Sequence, residues 1–149
     1  MKRSNAVPRL AWAGLAFAAT SLPISSFADD QDVKDYRSHV MLAMGEQMAA
    51  LNQITKGKAP AADVATQAEV LSVTAGMAKI AFTPKVLGGE ARPEVWDKWA
   101  DFSKRLDELV AATADLAKTA RQGGVAAVTP KLTSLPCKGC HDDYRVPKK

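Results

Sequence analysis

The 149-residue chain, 47% hydrophobic and 24% charged, has the apolar content for one domain around one core and is too short for two. Its formal charge of +4 could suit an acidic partner, but Lys2, Arg3 and Arg9 all fall within the first 28 residues. Taking those three from the 20 basic residues leaves 17 against 16 acidic ones, a near balance that argues against nucleic acid as a partner.

Residues 1–28 have the pattern of a signal peptide. Lys2, Arg3 and Arg9 form a basic start, Leu10 to Phe27 is mostly apolar, and Ser26-Phe27-Ala28 places small residues at the two positions a signal peptidase reads. Pro23 and the serine-rich end cut the apolar run below the roughly 20 residues that span a bilayer. The expectation is export to the periplasm, removal of residues 1–28, a mature domain over 29–149 and no membrane segment.

Beyond Asp29 the apolar residues recur at spacings of three and four, and no alternating strand pattern competes. A first helix is expected from about Asp32 to Lys56, with Val33, Val40, Met41, Met44, Met48 and Leu51 on one stripe and Gly57 and Pro60 ending it. A second, from about Ala61 to Phe82, carries Val64, Ala68, Leu71, Ala75, Ala78 and Phe82. The segment TPKVLGGEARP, residues 83–93, is too rich in Pro and Gly for a helix and reads as the longest loop. A third helix starts with Pro93 in its first turn and carries Trp96, Trp99, Phe102, Leu106, Leu109, Thr113, Leu116 and Ala120 up to a stop at RQGG. A fourth, from about Val125 to Arg145, includes Pro130 and Pro136, each of which should bend or restart it. The fold class is all-α: an antiparallel four-helix bundle.

The fourth helix holds CKGCH, residues 137–141, with both cysteines of the chain and one of its two histidines. A disulfide between residues three apart would close a tiny loop and stabilise little. A thioredoxin-like redox pair needs a βαβ unit that is absent from the pattern. Zinc needs four ligands, and His39 or a carboxylate at unsuitable spacing would have to complete the set. Cys-x-x-Cys-His is the attachment signature of c-type haem: Cys137 and Cys140 share a helix face and can bond the porphyrin edge, while His141 reaches the iron. One covalently attached haem c is therefore expected. The many alanines on the helix stripes suggest space in the core for that group.

The motifs DYRSHVMLAMGEQM, GGEARPEVW and CKGCHDDYR, spread over the mature chain, resemble the class II c-type cytochromes, the cytochrome c-prime superfamily. The resemblance implies a four-helix bundle with the haem carried by the last helix. Pro130 and Pro136 depart from the family pattern. It also implies that His141 is the proximal iron ligand and that Cys137 and Cys140 carry the thioethers. In gas-binding members an apolar residue, often Leu, blocks the other face four positions after the Arg of the YR pair; here Met41 stands there. In the low-spin subgroup a methionine in this register ligates the iron, which makes Met41 the expected sixth ligand. Met41, Met44 and Met48 lie within about 60° of one another around the helix, so phase alone does not choose among them. Arg37, one turn before Met41, matches the family residue that pairs with a haem propionate. His39 lies about 200° from Met41 and should face solvent. Trp96 and Trp99 suit the bundle core or the haem edge, and Arg145 suits a second propionate contact or an ordinary basic helix end.

A His141/Met41 iron has no open position, so the expected function is a one-electron carrier serving redox partner proteins, not an enzyme. The alternative is a five-coordinate cytochrome c-prime that binds nitric oxide or carbon monoxide. A peroxidase would need an acid-base group on the open face, and His39 points away. Homodimers, which family members often form through the first two helices, are a further possibility.

Overall fold

A computed structural model describes residues 29–147, so the signal-peptide pattern of residues 1–28 lies outside the described part. All of the regular structure in it is helical: α1 (Asp30–Thr55), a 3-10 turn (Ala61–Asp63), α2 (Val64–Phe82), α3 (Glu94–Asp97), α4 (Trp99–Thr133) and α5 (Cys137–Tyr144). α4 up to Gly123 is the third rod of the bundle, and its shorter stretch after Gly124 together with α5 makes the fourth.

α1 begins at Asp30, two residues before the expected start at Asp32, because of its cap. The Asp29 carboxylate accepts from the Gln31 and Asp32 amides at 2.8 and 2.9 Å, and the Asp32 side chain accepts from the Asp29 amide at 3.2 Å. This reciprocal pairing satisfies amides that otherwise have no helical acceptor. Gly57 ends the helix with φ 68°, a conformation that favours glycine. α2 stops where Pro84 follows Thr83.

α2 is the central rod and packs on both α1 and α4. Leu51, Leu71, Leu106, Leu116 and Val128 are almost fully buried. Ala68, Ala75, Ala78 and Ala81 of α2 and Ala117 and Ala120 of α4 are buried with them. None of these alanines borders the cavity described below, which corrects the idea that alanine makes room for a prosthetic group. Their small side chains lie within the packed core instead, and the small residues that do line the cavity are others, among them Gly45, Gly89 and Ala91.

The third and fourth helices are segmented differently from the expectation. The third breaks at Lys98 (φ −118°, ψ 40°), which separates α3 from α4. The expected glycine stop at RQGG is present: at Gly124 the backbone leaves helical geometry (φ 60°, ψ −152°), and the two stretches of α4 on either side of it are separate helical segments, folded back so that Lys131 pairs with Asp115. Pro130 sits inside the resumed helix, whereas Pro136 restarts the chain into α5.

Candidate haem site

A cavity of about 650 Å³ opens between α1, α4 and α5. Deleting one core side chain leaves on the order of 150 Å³, so this space corresponds to several side chains. Met41, Met44 and Met48 wall it on α1, Leu106, Leu109 and Thr113 on α4, and Cys137, Cys140 and His141 on α5. Phe82 and Phe102 close its inner end, their rings 5.2 Å apart.

Pro136 lets α5 start abruptly at Cys137, so both thiols and the imidazole project from its first turn and a half towards the cavity. The cysteines are half-buried and not joined to each other, and burial pushes both thiols up from their ordinary value. Two unbridged thiols and an imidazole on the wall of a largely apolar cavity are a donor set that fits a porphyrin.

α5 is anchored by a cluster that has no counterpart in the sequence patterns. Tyr144, buried, donates its hydroxyl to Asp101 at 2.5 Å. Arg105 donates from Nε to the same carboxylate at 2.9 Å and from Nη1 to Asp143 at 2.8 Å, with a longer bond to the Gly139 carbonyl. Burial, then the Asp101 bond, pushes the Tyr144 hydroxyl up to about 12, and the Tyr144 bond draws Asp101 below its ordinary value. Asp101 and Arg105 read locally as an ordinary i,i+4 pair. Their link to residues some 40 positions away has no signature in the sequence.

The residues singled out from the sequence divide as follows. Cys137, Cys140, His141, Met41 and Arg37 all border the cavity, as does Arg145. Met41 is partly buried and packs on the core cluster. Arg37 is buried, and its located hydrogen bonds run to the Val86 and Gly88 carbonyls. His39 is exposed. Trp96 and Trp99 pack on the core outside the cavity wall; the Trp96 indole donates to the Phe82 carbonyl at 3.0 Å.

A four-helix bundle whose last helix presents Cys-x-x-Cys-His to a largely apolar cavity defines a c-type haem protein with one covalently attached haem. The chain belongs to the cytochrome c' family, whose sequence profile matches residues 32–145. It is similar to cytochrome c' of Alcaligenes xylosoxydans xylosoxydans, at 30% identity over 126 residues, covering 82% of this chain and 99% of that protein. Cytochrome c' of Pararhodospirillum photometricum is 32% identical over 117 residues, covering 74% and 94%. Among solved structures, a ferrous variant of cytochrome c prime from Alcaligenes xylosoxidans with bound NO superposes with a TM-score of 0.75 at 29% identity, covering 82% of this chain and 99% of that one. A carbon-monoxide-bound variant from the same organism superposes at 0.74 with 30% identity, covering 81% and 99%.

These relatives overturn the expectation of a low-spin electron carrier ligated by His141 and Met41. They are cytochromes c', with NO and CO complexes among them, and nothing in the comparisons places the chain in the low-spin subgroup. The physical reason is that register does not establish coordination: a methionine fills an irregular apolar gap as readily as a leucine does, and Met41 packs on the core cluster.

Proposed function

We propose that the protein is a five-coordinate cytochrome c' that binds nitric oxide or carbon monoxide. Cys137 and Cys140 would hold the haem, and His141 would supply the imidazole ligand from α5. Bound there, ferrous haem supplies an iron centre with one position open to a diatomic gas. The chain's own contribution is the rest of the lining: Met41 on α1 would limit the space left for a ligand, and Phe102, Leu106 and Leu109 on α4 would exclude water. The observation that carries this reading is the likeness to cytochromes c' with NO and CO bound; the cavity adds to it, since Met41, Met44 and Met48 line it on α1 while His39 is exposed and outside the lining.

An optical spectrum tests the proposal. The ferric protein should be high-spin, and the ferrous protein should shift on adding carbon monoxide. Met41→Ala should leave the resting spectrum high-spin and, by relieving a steric block worth about 1.4 kcal/mol, should speed carbon monoxide association roughly tenfold. A low-spin parent with a methionine-to-iron charge-transfer band, indifferent to the gas, would overturn it.

The proposal includes a periplasmic location and a mature domain starting at Asp29, supported by the pattern of residues 1–28. Among the described residues no helix is long and apolar enough to cross a membrane. N-terminal sequencing of the exported form should begin at Asp29; a form retaining Met1 would refute the cleavage. Pairing of two copies through α2 also belongs to this reading, supported by Val70, Val73, Met77 and Ile80, which are exposed at coiled-coil spacing on that helix.

A further inference from the structure

The loop between α2 and α3 touches both walls of the haem site. On the α1 side, Arg37 is only 3% exposed. Its Nη1 donates to the Val86 carbonyl at 2.7 Å and its Nη2 to the Gly88 carbonyl at 3.2 Å. The guanidinium lies 4.9 Å from the centre of the Trp96 ring and 5.5 Å from that of Phe82. Gly88 and Gly89, with φ of 101° and 66°, carry the loop over Lys34, whose Cε would stand 3.5 Å from a Cβ on Gly88. On the α5 side, the Arg92 amide donates to the Tyr144 carbonyl and the Val146 amide to the Glu90 carbonyl, each at 2.9 Å. Ala91 and Arg145 pair there as an antiparallel bridge.

We propose that residues 86–92 are a strap that makes the N-terminal half of α1 and the end of α5 open and close as one unit, with Arg37 as its positioning residue. The two ends of the strap are close to the two faces of the site: Met41 is one turn after Arg37, and His141 is one turn before Tyr144 and Arg145. The task suits arginine. Two carbonyls two residues apart call for a rigid fork of donors, which a lysine ammonium lacks. A desolvated cation between aromatic faces is held more firmly than an exposed one, and removing it leaves two acceptors without their donor. The proposal rests on the haem-site reading only for what the two walls enclose.

Native-state hydrogen exchange on the haem-loaded protein tests it, comparing the parent with Arg37→Ala, Arg37→Lys and Val146→Pro, the last of which deletes the amide at the far end of the strap. Arg37→Ala should speed exchange at the Arg92 and Val146 amides, which Arg37 does not touch, roughly ten- to a hundredfold. Val146→Pro should speed exchange across residues 86–92 to a similar degree, Arg37→Lys should restore part of the protection, and the amides of α2 and mid-α4 should keep the parent's rates. Acceleration confined to the Arg37 end, or an even rise through all helices, would overturn the strap. So would unchanged exchange accompanied by an altered haem spectrum, which would assign Arg37 to the prosthetic group. A protein that ignores carbon monoxide would leave these rates as they are, so the strap and the gas-binding reading fail separately.

Discussion

Tyr144 shows how one side chain ties α5 to the bundle. It is buried, stacks edge-on against Phe102 with ring centres 5.0 Å apart, and donates a hydrogen bond to Asp101. Its folded pKa, about 12, is above the ordinary value near 10, so folding favours the neutral phenol. The stability this contributes is present below pH 10 and is lost as pH rises through about 12. Asp101 behaves in the opposite sense. Its lowered pKa contributes stability above the ordinary carboxylate range near 4, which is lost as pH falls through the lowered value. Denaturant melts across pH should therefore show an alkaline decline between 10 and 12 that Tyr144→Phe abolishes, and Asp101→Asn should bring the Tyr144 titration down. An alkaline limb that survives in the Phe variant would show that another group causes it.

Among the elements, α4 makes the clearest case for local backbone geometry. Gly124 holds φ 60° and ψ −152°, and a Cβ added there would have nothing within 4 Å, so an alanine would meet strain and no clash. Gly124→Ala should cost about 1–3 kcal/mol. Gly76, exposed within α2 and also with open space around it, has helical geometry, and Gly76→Ala should stabilise by about 0.5–1 kcal/mol. Thermal or urea unfolding of the two variants should move in opposite directions. The segmentation of this region was partly legible: Gly-Gly and Pro136 announce breaks through their own dihedral constraints. The break at Lys98 was not, because lysine has no such constraint. Pro130 neither ends nor restarts the helix, which runs on past it to Thr133.

At the scale of the whole molecule, α2 has two apolar faces. One is buried between α1 and α4, and the other exposes Val73 by 66% and Ile80 by 69%. Burying such side chains against a second copy contributes roughly 1.5–3 kcal/mol each, and a symmetric pair counts every residue twice. Ile80→Glu should raise the dimer dissociation constant roughly a hundredfold or more by sedimentation, with the haem spectrum unchanged. Equal sedimentation of parent and variant would remove this face from the account.

The haem attachment was written in the chain because Cys-x-x-Cys-His acts through covalent spacing within one helical turn, and that spacing survives any packing. The four apolar stripes likewise determined the bundle, since helical period and burial are local properties. What lay opposite His141 was not decided this way. A methionine can ligate iron by chemistry or serve as wall by packing, and the order of residues carries no sign of the difference; relatives with NO and CO complexes among them, and the packing of Met41 on the core cluster, favour the wall. Apart from the local Arg105–Asp101 pair, the partners of Arg37, Arg105 and Tyr144 lie 34 to 51 residues away, and only the tertiary fold brings them together, because hydrogen bonding across that separation leaves no pattern in the order of residues.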